Sequence, residues 1–291
     1  MNWNGKDMTL DCLSSLGKVS TKNADLEVIV VDNGSQDGSV EAIQKFYPKV
    51  HCLPTGANLG FTGGNNFGIK DALTRNPDYI WLLNNDTIVD PDVLSFVSAF
   101  EDPKVGVVGS KIYFAPGYEF HKDRYSTKEK GKVFWFAGGL IDWKNIYFSH
   151  RGVDEVDHGQ FDSIEETPFV TGCSFVIRTD IVKKIGMLDD RYYLYLEDAD
   201  WCLRVQKNGD KTLYYPPSIV WHRNAASSGT PGNPRQDYYL TRNRFFLGFR
   251  YAKLRTKFAL FRQAIRYIWS GPSIRRKAAV DVFTGRLGRR I

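Results

Sequence analysis

A chain of 291 residues can bury one large core or two modest ones, and 42% hydrophobic with 25% charged residues is ordinary for a folded globular protein. No 18-residue apolar run is present to span a membrane, and nothing at the N-terminus resembles a signal peptide. The four cysteines (Cys12, Cys52, Cys173 and Cys202) are far apart and form no CxxC pair, which argues against a disulfide framework or a zinc site and fits a reducing compartment. The net charge of +6 is uneven: residues 242–291 carry 14 Lys and Arg against one acid, Asp281, leaving −7 for the 241 residues before them. A mildly acidic body with a basic tail points to a polyanionic partner surface, either membrane or nucleic acid.

In chain order, residues 1–6 (MNWNGK) read as the exit of a strand whose body is absent. A first helix is predicted over 9–16, with Leu10, Leu13 and Leu16 at helical spacing. Residues 26–31 (LEVIVV) form a buried strand of β-branched residues. A polar burst follows, with Asp37 or Ser39 capping a helix over 40–46. After a short strand at 50–53, residues 58–66 (NLGFTGGNN) read as a glycine-rich loop leading into a helix over 67–74. The apolar run 79–83 is a buried strand ending in Asn84, Asn85 and Asp86, and a helix over 91–100 starts at Pro91. This strand–helix alternation implies a mostly parallel sheet with right-handed crossovers. Further strands are predicted at 105–112, 169–178, 212–215 and 218–221, with helices at 181–185 and 197–207. Residues 113–166 are expected to hold antiparallel strands and a long loop. Residues 225–235 read as a flexible loop and 238–268 as a basic helical stretch.

Several positions carry chemistry. In open α/β sheets, ligands meet the carboxyl ends of the strands. Asp86 lies at such an end, where a carboxylate can hold a hard cation that in turn holds phosphate oxygens; the same three residues also suit a plain turn and helix cap. Asp32, at another strand end, can accept hydrogen bonds from a nucleobase or a ribose. Glycines at 58–66 allow close backbone approach to an anion. Glu197 and Asp198 open a helix after an aromatic run; their side chains diverge by about 100°, so one faces the cleft as a general base while the other caps or pairs. Asp200 and Arg204 form an i,i+4 ion pair. His222 follows a strand and suits either a structural role or ligation.

Taken together, VVDNGSQDGS (30–39), NLGFTGGNN (58–66), WLLNNDTIVDP (81–91), FVTGCSFVIR (169–178), YLYLEDADWCLRVQKNGDK (193–211) and VWHRNAASS (220–228) resemble the family 2 glycosyltransferases, in the rhamnosyltransferase-like branch. The six motifs stand in the family's order, and the resemblance covers roughly residues 2–228, with weaker echoes in YYLTRNR (238–244) and GRLGR (285–289). The resemblance implies an α/β GT-A (Rossmann-like) fold: a mostly parallel sheet flanked by helices, a small antiparallel acceptor-side region and C-terminal basic helices. Residues 1–234 would form the catalytic domain and 235–291 a basic amphipathic tail. The strand preceding residue 2 in the family is absent from this chain, so its two neighbours are expected to show unpaired edges.

The implied reaction is inverting transfer of a sugar, with L-rhamnose favoured by the branch, from a dTDP- or UDP-linked donor. The acceptor would be a glycan or lipid-linked hydroxyl in cell-surface polysaccharide synthesis. Asp32, Asn33, Asn58, Gly63, Asn65 and Asn85 would form the nucleotide side. Asp86, with His222, would hold Mg2+ or Mn2+. Asp198 would be the base in preference to Glu197, because the second acid of this motif plays that part in the family. The Asn84-Asn85-Asp86 region has a single carboxylate, so the asparagines read as positioning residues.

Phe, Leu, Ile, Tyr and Trp interleave with Arg and Lys over 245–269, as in a helix lying on an anionic membrane; the same stripe could pack on the body. A cytoplasmic protein, peripheral on the inner face of the plasma membrane, is the corresponding expectation. Two rival classes are an inactive nucleotide- or glycan-binding relative and a nucleic-acid-binding protein using the tail. Nucleotide binding without metal-dependent donor hydrolysis would mark the first, and DNA binding with a steep salt slope the second. No nucleic-acid fold is legible and the body is acidic, so no nucleic acid is expected.

Overall fold

The computed structural model describes residues 1–22, 24–121, 123–223 and 232–291. The chain opens with α1 (Lys6–Leu16), β1 (Ile29–Asp32), α2 (Ser39–Phe46), β2 (His51–Pro54), α3 (Gly60–Leu73) and β3 (Tyr79–Leu83). A short β4 (Thr87–Val89) and a 3-10 helix (Val93–Glu101) lead to β5 (Val105–Phe114). The irregular middle holds β6 (Phe134–Phe136), β7 (Gly139–Asp142), β8 (Tyr147–His150) and β9 (Glu165–Glu166). Then come β10 (Ser174–Arg178), α4 (Thr179–Ile185), α5 (Glu197–Lys207) and β11 (Lys211–His222). Three helices close the chain: α6 (Pro234–Tyr251), α7 (Leu254–Ser270) and α8 (Ser273–Phe283).

The larger sheet runs β3-β10-β5-β11-β4, with β6 on β5 and β9 on β11. β10 is antiparallel to both β3 and β5, and β11 is parallel to β5. The three long strands β3, β5 and β11 therefore share one direction, with β10 and β4 running against them. β1 and β2 form a separate parallel pair. Asn2 adds one parallel rung to β1: its N–H donates to Val31 O, and its carbonyl accepts from Asn33 N, both at 2.7 Å. The strand-exit reading of residues 1–6 is thus visible as a single rung.

β5 is the centre of the core, with all ten residues buried. Its run is apolar except for Ser110 and Lys111, the latter paired with Asp157, and each Val or Phe so buried contributes about 1.5–3 kcal/mol. α5 crosses this layer through Trp201, whose ring stacks on Phe175 at 5.0 Å. Phe245, Leu247, Leu260, Ala264 and Ala279 of α6–α8 belong to the same apolar cluster, so the C-terminal helices pack on the body.

Four local expectations are corrected. The glycine-rich stretch is helical from Gly60, because Asn58 Oδ1 accepts Gly60 N (2.8 Å) and Asn33 Oδ1 accepts Leu59 N (2.9 Å). These bonds satisfy amide donors at a helix start, which lets the helix begin at the first glycine of the stretch. The helix predicted over 91–100 is a 3-10 helix starting at Val93, and just before it lies an unpredicted strand, β4, which pairs with Val220–His222 of β11. The strands at 212–215 and 218–221 are one strand, with a register shift between Tyr215 and Ile219, where Pro216 and Pro217 lack ladder donors. The basic helical stretch breaks at Ala252 and Lys253, where the backbone is extended. Only residues 232–235 of the predicted 225–235 loop are described, and Pro234 and Arg235 begin α6; the rest lies outside the described residues.

Candidate functional site

The site is built where β1, β3, β10 and β11 reach their ends and α5 begins. Asp32, the last residue of β1, is buried and accepts Asn2 Nδ2 through Oδ2 (2.7 Å) and Ser35 N through Oδ1 (2.9 Å). Asn33 donates from Nδ2 to Asn58 Oδ1 (3.3 Å) and to Gly60 O (3.1 Å). Asn33 and Asn58 are thus bonded to each other, while the Asp32 carboxylate is held separately by Asn2 and Ser35. Asp37 accepts Lys6 N (2.9 Å) and Ser39 N (3.1 Å), but the N-cap of α2 is Gly38 and not Asp37 or Ser39 as expected.

Gly63 and Asn65 are inside α3, and Asn65 spends its amide on Phe61 O at 2.9 Å, one turn back. Glycine is required at Gly60, which has φ +76° and where a Cβ would lie 2.3 Å from the Tyr193 ring. α3 therefore abuts the segment that leads into α5.

Past β3, Asn85 donates from Nδ2 to Asn2 Oδ1 (3.1 Å) and Thr9 Oγ1 (2.9 Å). Asn2 links Asp32 to the residue next to Asp86. The turn itself is held by Asn84 N donating to Cys173 O at 3.0 Å. Asp86 and His222 meet from different strands, with Asp86 Oδ1 3.1 Å from His222 Nε2. His222 Nδ1 is buried with no hydrogen-bond partner among the described residues. The Trp135 ring sits 4.4 Å from the His222 ring, and the His150 ring packs on Trp135 at the same spacing.

Glu197 and Asp198 open α5 as the sequence predicts. Asp198 accepts Gly172 N through Oδ2 (2.9 Å) and Ala199 N through Oδ1 (2.7 Å). Burial pushes its carboxyl above the ordinary Asp range, and the two backbone donors partly oppose that. Glu197 is buried, and its Oε2 has no hydrogen-bond partner among the described residues. Burial, and then the neighbouring Asp198 charge, push Glu197 well above the Glu range. Asp200 is fully buried among Arg204, Arg250, Tyr192 and Tyr251, a structural ion pair.

Residues 171–173 join the two halves: Gly172 holds Asp198, and Cys173 holds the turn that carries Asp86. Neither Asn2 nor Gly172 is singled out by sequence reasoning. The signal for Gly172 is a lone glycine between Thr171 and Cys173, whose Cβ would lie 2.8 Å from the Phe61 ring.

One carboxylate oxygen and one imidazole nitrogen 3.1 Å apart fit adjacent positions around a hard divalent cation such as Mg2+ or Mn2+. Among the described residues there is no cluster of three or more His, Cys, Asp or Glu able to hold a metal. A cation at this pair would need substrate oxygens and water to complete its shell. What the arrangement can do chemically is accept a proton at Asp198, while a cation at Asp86 and His222 would hold an anionic group.

The family model described as glycosyl transferase family 2 matches residues 2–186. The N-acetylglucosaminyl-diphospho-decaprenol L-rhamnosyltransferase of Mycobacterium tuberculosis is 27% identical over 218 residues, covering 70% of this chain and 68% of that protein. The dTDP-rhamnosyl transferase RfbF of Shigella flexneri is 21% identical over 237 residues, covering 78% of this chain and 72% of that one. Among solved structures, a mannosyltransferase from Pyrobaculum calidifontis in complex with GDP-Man and Mn2+ superposes with a TM-score of 0.57 at 14% identity. It covers 100% of this chain and 74% of its own, a likeness of fold.

Proposed function

The chain belongs to glycosyl transferase family 2, and we propose that it is an inverting transferase moving L-rhamnose from a dTDP-linked donor to a hydroxyl of a lipid-linked or glycan acceptor in polysaccharide synthesis. The rhamnosyl names of two relatives support the sugar, and RfbF supports the nucleotide. The observation that carries the reading is the linkage of Asp198 to the Asp86–His222 pair through residues 171–173. Asp198 takes the proton of the acceptor hydroxyl as its oxygen bonds to the anomeric carbon. The bond from that carbon to the donor diphosphate breaks on the opposite face. Asp32, with Asn33 and Asn58, faces the nucleoside. Asp86 and His222 would hold Mg2+ or Mn2+, which supplies charge neutralisation to the departing diphosphate.

The tail supports a place beside a membrane. No helix among the described residues is long and apolar enough to cross one. α7 instead leaves Leu254, Phe258, Phe261, Ile265 and Trp269 exposed at one-turn spacings, with Leu254 at 84% and Trp269 at 81%. Arg255, Lys257, Arg262 and Arg266 lie on the same helix, which has no acid. A helix of this kind lies in the interface of an anionic bilayer. The reading is therefore a cytoplasmic enzyme, peripheral on the inner face of the plasma membrane, where a lipid-linked acceptor is presented.

The test incubates the protein with dTDP-L-rhamnose and, separately, UDP-sugars, with and without Mn2+ and a polyprenyl-diphosphate saccharide. Released nucleotide diphosphate and the anomeric configuration of the product are read. Metal-dependent transfer of rhamnose with inversion is expected. Transfer from UDP-sugars alone would overturn the donor, and binding without any turnover would overturn the enzyme.

A further inference from the structure

The segment entering α5 is bent in a way its residues do not favour. Tyr193, Tyr195 and Leu196 have φ of 65°, 72° and 67°, the left-handed region, and none is glycine. Such a run persists only where its surroundings over-determine it. Its carbonyls are turned in two directions. Tyr193 O accepts Phe61 N (2.9 Å) and Thr62 N (3.3 Å) at the start of α3. The others converge on one side chain of α6: Asn243 Nδ2 donates to Tyr192 O (3.1 Å), Leu194 O (2.7 Å) and Tyr195 O (2.7 Å). Asn243 is itself oriented, because its Oδ1 accepts Arg242 Nε at 2.9 Å. Arg242 Nη2 donates to Arg191 O (2.9 Å) and Tyr192 O (2.6 Å), and both side chains are fully buried.

We infer that Asn243, oriented by Arg242, is a positioning residue for the transfer reaction: it holds the left-handed turn that sets the first residues of α5, and so the aim of Asp198. This rests on the proposed role of Asp198 as the base. The physical reason is specific to an amide. Three carbonyls crowd one point, and a carboxylate there would repel them, whereas a neutral NH2 supplies two hydrogens shared among three oxygens. Leu196 is the N-cap of α5, and its carbonyl accepts Asp200 N at 3.0 Å. A relaxed turn would swing the first turn of that helix away from Gly172 N, the donor that holds Asp198 Oδ2. The C-terminal helices would then be part of the catalytic apparatus as well as an anchor.

The test compares wild type with Asn243→Ala and the milder Asn243→Ser. Displacement of Asp198 by about 1 Å predicts a loss of kcat of roughly 100-fold. KM for the donor and nucleotide-diphosphate affinity should stay near wild type. The acid limb of the kcat profile should move to higher pH as Asp198 loses the Gly172 donor. Amide exchange should accelerate at residues 192–200 and not in β5. Unchanged exchange at 192–200 would overturn the proposal, as would equal losses in kcat and nucleotide affinity with the acid limb unmoved. If Asn243→Ala does not fold, Asn243→Ser is read alone on the same criteria. A wild-type protein that turns over no nucleotide sugar would sink the reaction, while the exchange data still decide whether Asn243 holds the turn.

Discussion

Asp86 Oδ1 and His222 Nε2 stand 3.1 Å apart although 136 positions separate them in the chain, with side-chain exposures of only 9% and 6%. A carboxylate and an imidazole this close are either an ion pair or two donors awaiting a cation. Metal titration separates these. Asp86→Ala should abolish Mn2+ dependence and cut transfer by roughly 100- to 1000-fold, the range for losing a preorganised electrostatic partner. His222→Gln should weaken Mn2+ in the presence of nucleotide diphosphate by about 10- to 100-fold, followed by electron paramagnetic resonance of free Mn2+. Unchanged Mn2+ affinity in both variants would mark a structural pair.

Asp198→Asn preserves shape and removes the proposed base. Transfer should fall by roughly 100- to 10,000-fold, with nucleotide-diphosphate affinity intact by calorimetry. Because burial raises the Asp198 pKa, the base is ionised only above that raised value. Turnover in the wild type should therefore decline, as pH falls, at a higher pH than for an ordinary carboxylate. A kcat that is flat down to pH 4 would exclude Asp198 from the role.

His150 predicts a stability effect away from the reacting atoms. Its ring is enclosed by Trp135, Phe136 and Phe169, and burial lowers its pKa from 6.5 to about 4. The unfolded chain then binds more protons than the folded one between those values. The stabilisation is present above about pH 6.5 and is lost as pH falls towards 4, by at most about 3 kcal/mol. Denaturant melts at pH 7 and pH 4.5 should show a smaller acid loss for His150→Phe than for wild type.

The exposed face of α7 predicts selective binding to anionic vesicles. Co-sedimentation with phosphatidylglycerol vesicles should fall sharply for Leu254→Glu with Trp269→Glu, and wild type should ignore neutral phosphatidylcholine. Equal binding of variant and wild type would remove the membrane from the account. Raised salt should weaken the interaction, since several cations contribute about 1 kcal/mol each at an anionic surface.

Elements with a local signal were legible from residues alone. β3 is an apolar run bounded by Asp78 and Asn84, and α5 starts at two acids that favour a helix N-terminus; both have the predicted limits. Other elements depend on residues far away in the chain. α3 begins at Gly60 because Asn33, 26 positions earlier, supports Leu59 N. β4 exists because β11 pairs with it, and no sequence period announces three residues. The break between α6 and α7 has no proline, and it accompanies the close seat of Leu260 on Gly248, where a Cβ would lie 2.4 Å from Cδ1.

From its residues alone, this chain showed an α/β pattern with Asp32, Asp86 and His222 past strand ends and Asp198 at a helix start, and six ordered motifs carried the resemblance to sugar transferases. Which of these residues meet was decided by tertiary structure. Asn2 bridging Asp32 to Asn85, Gly172 gripping Asp198, and Asn243 collecting three carbonyls all act across at least 26 positions. A hydrogen bond of that span leaves no period in a sequence; it is specified only when the core has brought its two ends together.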